Sequence, residues 1–134
     1  MKNYLIILLF LISSCTWDPG DSILQVVNHT GHDVSIEWEK DSIPSYPAFN
    51  KTEYYLENPT YNNDTLSAGE SGRFGWKRFI TQSKNKKVNL FVYKMDSLRK
   101  YNSIDYLNEK RIYKRYSYTK EELEKCNWIV IISH

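Results

Sequence analysis

Val88-Asn-Leu-Phe-Val-Tyr93 is apolar at both parities of a strand, with Asn89 the one exception. A strand with one face in water alternates polar and apolar residues. A run without that alternation predicts a central strand covered on both faces.

Upstream, Ile23-Leu-Gln-Val-Val27 is a strand candidate that ends in the turn cluster Asn28-His29-Thr30-Gly31-His32, where Gly31 is free to take a positive φ. The next run alternates, with Val34, Ile36 and Trp38 on one face and Ser35, Glu37 and Glu39 on the other, the pattern of a half-buried antiparallel strand. These two strands are predicted to pair as a hairpin. Between residues 41 and 63, Pro44, Pro47 and Pro59 cannot donate to a ladder, so any strand there is short or at an edge, and Lys51–Glu57 is the candidate. Asp64-Thr-Leu66 leads into the turn-rich Ser67-Ala-Gly-Glu-Ser-Gly72. Arg73–Ile80 then reads as strand around Phe74 and Trp76, with Gly75 marking a bulge or a close approach.

Downstream of the central strand, Asp96 is expected to cap a turn of helix reaching Tyr101, and Ser103–Lys110 to form a second short helix with Ile104 and Leu107 on one side. Arg111–Tyr118 returns to strand. Thr119-Lys-Glu-Glu122 is a capping box, with Tyr118 and Leu123 placed as a hydrophobic staple. That helix is predicted to run to about Cys126 and stop at Asn127, which tolerates left-handed geometry. Trp128-Ile-Val-Ile-Ile132 follows as a wholly apolar strand that reads as core, not edge. The expected fold is mostly β: an antiparallel immunoglobulin-like or transthyretin-like β-sandwich of about seven strands with short C-terminal helices. The competing reading is an α+β domain with the late helices on one sheet.

The first residues carry a different message. Lys2, the apolar run Leu5–Ile12 and the small pair Ser13-Ser14 have the order of a secretory signal. The run is too short for a membrane span, which takes about 20 apolar residues. With Cys15 directly after the small pair, the stretch resembles a bacterial lipoprotein signal. The resemblance implies cleavage before Cys15, a diacylglyceryl group on its thiol and an acyl chain such as palmitate on its amine. Two or three chains anchor stably where one is marginal. Thr16 follows Cys15 where enterobacterial inner-membrane lipoproteins carry Asp, so the expected location is the cell envelope, at the outer membrane. The domain reading is then a signal peptide over 1–14, a lipidated tether over 15–21 and a single β-sandwich domain over 22–134. Removing fourteen residues from 134 leaves 120, enough for one domain with a core of its own.

Composition narrows the function classes. Lys and Arg number 18 against 16 Asp and Glu, and this near-neutral balance argues against a nucleic-acid partner. There are two cysteines, and lipidation of Cys15 would leave Cys126 without a disulfide partner. Aromatics make up 15% of the chain, with 11 Tyr, which favours strands.

The stretch Val88–Trp128 also resembles a group of small lipoproteins from Bacteroidota. The residues that carry it are Leu90-Phe-Val-Tyr93 before Asp96-Ser-Leu98, Ile112-Tyr-Lys-Arg-Tyr116 before Thr119-x-x-Glu-Leu123, and Asn127-Trp128. The match covers about a third of the chain well. It implies compartment and a sandwich fold and supplies no active site; this chain ends Ile132-Ser-His134 where relatives often end in an aromatic and Pro. Bacteroidota O-glycosylate exported proteins at Asp followed by Ser or Thr and an apolar residue. That pattern makes Ser22, Ser42, Thr65 and Ser97 candidate O-glycosylation sites, against the ordinary reading of Asp-Ser and Asp-Thr as turn and cap chemistry.

Candidate chemistry is sparse. His29 and His32 bracket a turn next to Asp33, but a zinc site needs a third partner on a fixed frame, so no metal site is expected. Gly69-Glu-Ser-Gly72 lacks the final glycine and the strand-to-helix turn of a nucleophile elbow, leaving Ser71 a turn residue. Cys126 reads as a structural thiol, and the adjacent Glu121 and Glu122 point to different helix faces. Tyr54, Tyr55, Tyr61, Tyr113, Tyr116 and Tyr118 cannot all be core, and those left outside can either dress strand exteriors or anchor a binding surface. The expectation is a lipid-anchored, non-enzymatic envelope protein with protein or glycan contacts at the cell surface and no cofactor. The alternatives are a carbohydrate-binding module and a metal-assisted hydrolase using His29 and His32.

Overall fold

The structure, a computed structural model, describes residues 22–72 and 74–134. The signal over 1–14, Cys15 and the tether up to residue 21 lie outside the described residues. Strands β1 (Leu24–His29), β2 (Val34–Glu39), β3 (Thr65–Ala68), β4 (Lys87–Lys94), β5 (Lys114–Thr119) and β6 (Ile129–Ser133) make two three-stranded sheets, ordered β3-β1-β6 and β2-β4-β5. β1 and β6 run parallel, and the other pairings are antiparallel. Five short helices, α1 (Thr52–Glu57), α2 (Gly75–Gln82), α3 (Met95–Tyr101), α4 (Ile104–Glu109) and α5 (Lys120–Lys125), connect them.

β4 is central, and both its faces are covered. Val88, Leu90 and Val92 enter a core shared with Leu24 and Val26 of β1 and Val130 and Ile132 of β6, so the two sheets pack through one apolar layer. Phe91 and Tyr93 point the other way, into a second cluster with Tyr55 of α1, Leu98 of α3 and Leu107 of α4. Each such burial contributes about 1.5–3 kcal/mol. Asn89 is tolerated because its amide is engaged: Oδ1 accepts from Ser117 Oγ (2.8 Å) and Asn85 Nδ2 (2.9 Å), and Nδ2 donates to Glu39 O (3.3 Å).

The expected antiparallel immunoglobulin-like or transthyretin-like sandwich of about seven strands is met only at the level of two small sheets sharing a core. The described residues form six strands, one sheet is mixed, and helices occur throughout the chain. β1 and β2 do not form the expected hairpin, because the turn between them carries the chain from one sheet to the other. Asn28 holds that crossing. It is fully buried, its Nδ2 donating to His32 O (2.8 Å), Thr60 O (3.0 Å) and Tyr61 O (3.1 Å), its Oδ1 accepting from Thr30 Oγ1 (2.8 Å) and Thr30 N (3.1 Å). Gly31 takes the positive φ expected of it, +77°.

Two segments expected as strands are helices. In 52–57 the ring of Tyr55 turns inward onto Tyr93, at 5.8 Å between centroids, and the Pro59 that argued for an edge strand lies just past the helix end. In 75–82 the buried pair is Trp76 and Ile80, an i, i+4 spacing, with Phe79 packed beside them. The period is therefore helical and Gly75 opens the helix rather than a bulge. Trp76 Nε1 donates to Ala68 O (3.2 Å), tying α2 to β3. The α3 cap is Lys94, with Asp96 one residue inside the first turn.

The C-terminal elements follow expectation until the last. Thr119 and Glu122 make both bonds of the capping box, Glu122 N donating to Thr119 Oγ1 (3.2 Å) and Thr119 N to Glu122 Oε2 (2.7 Å). Leu123 and Tyr118 join the inter-sheet core. Asn127 and Trp128 both take left-handed backbone, φ 52° and 60°. β6 then lies at a sheet edge, not in the centre. Val130 and Ile132 are buried while Ile129 and Ile131 stand 45% and 58% exposed, so a strand apolar at both parities is here covered on one face only.

Candidate functional site

The largest recess among those described opens around the end of β2 and measures about 710 Å³. Five segments build it. β2 contributes Glu37, Trp38 and Glu39; the loop after it contributes Phe49; α1 contributes Tyr54; α2 contributes Phe79 and the turn before it Glu70. The loop presents Phe49 at 87% exposure, and Tyr54 is 49% exposed. Left in water, such rings are an unreturned hydration cost, and convergent aromatics at a recess suit a binding surface.

The aromatics and carboxylates there are held in place. Trp38 Nε1 donates to Glu70 Oε1 (2.7 Å), and its ring tilts on Trp76 at 5.8 Å. Glu39 receives both Ser45 N (2.9 Å) and Ser45 Oγ (2.6 Å). Lys40 bonds Gln82 Oε1 (2.7 Å) and sits 5.4 Å from the centre of the Phe79 ring. Asp41, at the rim, is held below the usual carboxylate range, first by its bond to Lys84 and then by Ser42 N.

Glu37 differs from its neighbours. β2 directs it away from the inter-sheet core towards Tyr55 and Tyr93, so the polar face expected to meet water is largely covered. Burial pushes the Glu37 carboxyl up; the nearby Tyr55 hydroxyl opposes this and Glu39 adds to it. Among the described residues Glu37 Oε2 and Tyr55 Oη are enclosed side-chain atoms that complete no hydrogen bond of normal geometry. The Tyr55 and Tyr93 hydroxyls are pushed up by burial first and then by Glu37.

The sequence candidates scatter. Cys15 lies outside the described residues. Ser22 and Thr65 are exposed and Ser42 and Ser97 half-buried, with Ser42 O accepting from Arg115 (2.6 Å). His29 ends β1 at the surface, while His32 turns towards Lys94 and His134. Among the described residues no three His, Cys, Asp or Glu side chains are grouped to hold a metal ion. Ser71 is an exposed turn residue whose carbonyl accepts from Arg78 (2.8 Å). Cys126 is half-buried and its Sγ donates to Leu123 O (3.3 Å). Of the tyrosines singled out, Tyr54 alone lines the β2 recess; Tyr55 is core, Tyr61 lies exposed elsewhere, and Tyr113, Tyr116 and Tyr118 are half-buried. Glu37, Glu39, Phe49, Glu70 and Phe79 were missed, because their convergence depends on helix α2 and on a proline-containing loop with no periodicity.

Comparison with protein-family models, with curated proteins and with solved structures finds no match.

Proposed function

We propose that this chain is a lipid-anchored envelope protein, held to the outer membrane through Cys15, whose domain binds glycan without catalysing a reaction. The observation that carries the binding reading is the recess around the end of β2. Trp38, Phe49, Tyr54 and Phe79 converge there with the carboxylates of Glu37, Glu39 and Glu70. A sugar ring presents apolar C–H faces and hydroxyl edges. Aromatic rings take the faces, and carboxylates accept from the hydroxyls in charge-assisted bonds. The locked geometry of Trp38 on Glu70, and of Glu39 on Ser45, supports a preformed site that loses little entropy on binding. The resemblance to Bacteroidota lipoproteins supports the compartment and Ser22, Ser42, Thr65 and Ser97 as candidate O-glycosylation sites. An immunoglobulin-like or transthyretin-like arrangement of the two sheets belongs with the same reading.

Full-length protein in detergent, probed on a glycan array, is expected to bind a restricted set of glycans. Trp38→Ala and Phe49→Ala lose that binding, while Tyr61→Ala keeps it. Binding untouched by the first two substitutions, or no glycan bound at all, overturns the reading. The anchor is tested separately: Cys15→Ala is expected to move the protein from the detergent phase to the aqueous phase, and continued detergent partitioning refutes lipidation.

A further inference from the structure

A second recess, about 280 Å³, lies where the end of β4, the start of β5, α3 and the last residue of β6 meet. Lys94, Arg111, Lys114 and His134 line it, with the hydroxyls of Thr30 and Ser97 beside them. Its floor is apolar, from Val34 and Val92. The fold gathers Arg111 and Lys114 with Lys94 of β4 and His134.

The charges around this recess are unbalanced from every side. On the β1–β2 turn, His32 Nε2 stands 3.4 Å from Lys94 Nζ, and its ring meets that of His134 edge-on at 5.1 Å. Asp33, next in the turn, spends its carboxylate on Asn62 N (3.0 Å). On α3, Asp96 pairs with Arg99 at 3.6 Å. On β5, Lys114 Nζ donates to Ser133 O (2.8 Å), which Tyr116 Oη also donates to. Among the described residues Arg111 makes no side-chain hydrogen bond or ion pair. No side-chain carboxylate is among the lining residues. The His134 imidazole is pushed down, first by burial and then by Lys94, His32 and Lys114, as befits a cation-poor choice in a crowd of cations.

We propose that this recess binds a compact oxyanion, the phosphate, sulfate or carboxylate of a small ligand or of a lipid headgroup, with Lys94, Arg111 and Lys114 as its principal partners. The anion supplies the countercharge the fold omits, accepts from the Ser97 hydroxyl, and leaves the ligand's apolar part on Val34 and Val92. The site is independent of the glycan reading, since it shares no lining residue with the cleft around the end of β2.

The test follows the histidine ring resonances of the full-length protein in neutral detergent, with inorganic phosphate titrated in against chloride at constant ionic strength. Phosphate is expected to raise the titration midpoint of His134, to shift the ring resonances of His32 and to leave those of His29 unmoved. Lys94→Ala/Lys114→Ala is expected to weaken phosphate binding roughly tenfold or more, the scale of losing charge-assisted bonds. Arg111→Ala alone weakens it to a lesser degree, and Lys84→Ala, at a remote surface, leaves it unchanged. All these side chains are exposed, so folding is preserved and is verified by the urea midpoint. Micelles doped with an anionic phospholipid distinguish the sources. The same shifts without dissolved phosphate identify a headgroup, and shifts only with dissolved phosphate identify a free ligand. Equal shifts from chloride, equal shifts in the double variant, or no shift from either source overturn the proposal.

Discussion

Replacing Asn28 tests whether one amide holds the two sheets in register. In Asn28→Ala the carbonyls of His32, Thr60 and Tyr61 each lose a donor but keep another: Thr30 Oγ1, Val34 N and Asp64 N respectively. Thr30 N loses its side-chain acceptor, and an orphaned buried N–H costs about 1–3 kcal/mol. Thr30 Oγ1 can still donate to His32 O. With the small void left by the amide, the expected loss is about 3 kcal/mol. Asn28→Asp separates shape from donation. Its first oxygen still accepts from Thr30, but its second faces three carbonyl oxygens, so the folded state favours the protonated acid. A folded pKa raised in this way means stability is greatest below the unfolded carboxylate range, about 4, and falls as pH rises through it until the folded pKa is passed. Urea unfolding followed by tryptophan fluorescence, at pH 3.5 and pH 7, measures both variants against the parent. A loss below about 1 kcal/mol in Asn28→Ala, or an Asn28→Asp deficit that does not grow with pH, would refute the reasoning.

Glu37 makes a related prediction without introducing a charge. Its raised pKa means the parent loses stability as pH rises from the unfolded glutamate range through the folded value, so Glu37→Gln should gain about 1 kcal/mol at neutral pH by ending the burial of charge. The gain should vanish in acid, as paired denaturation curves will reveal. Thr119→Ala should cost about 1 kcal/mol by removing the cap of α5. Because Glu122 is held below the usual range chiefly by Thr119 N, the box weakens as pH falls through the Glu122 titration, and the penalty should shrink there. On β6, Ile131→Lys should change stability by no more than about 0.5 kcal/mol, while its neighbour Ile132→Ala costs about 2–5 kcal/mol; similar costs at both positions would contradict the edge placement.

Elements whose pattern is local were legible. The both-parity run around Leu90 fixed the central strand, Ile104 and Leu107 marked α4, and Thr119 with Glu122 marked the start of α5. Failures came where pattern and partner diverge. Trp76 and Ile80 satisfy a helical spacing, but Phe74 and Trp76 satisfy a strand spacing too, and only the Trp76–Ala68 bond and the packing on β3 decide between them. β6 misled for a simpler reason. An apolar strand reports that its residues tolerate burial, and Ile129 and Ile131 meet water because nothing described covers the outer side of that sheet. Asn28 looked like turn chemistry and is turn chemistry, yet its partners at 60 and 61 lie beyond any local window.

Net charge hides how the charges are distributed. A balance of 18 basic against 16 acidic residues argues against a polyanion partner for the molecule as a whole and says nothing about segregation within it. Val34, at the start of β2, is registered against Lys94, and Glu39, at its end, against Asn89. Five strand steps separate those positions, about 17 Å. At one end of this strand lies the basic recess of Lys94, Arg111 and Lys114; at the other lies the cleft of Glu37, Glu39 and Glu70. That spacing exceeds the screening length of about 8 Å at physiological salt, so the two sites can hold opposite potentials without cancelling. A ligand that carries both hydroxyl-rich and anionic parts could therefore be read at both ends only if it spanned the strand. Ligands of one kind should each find their own site, and mutations at one end should leave affinity at the other unchanged.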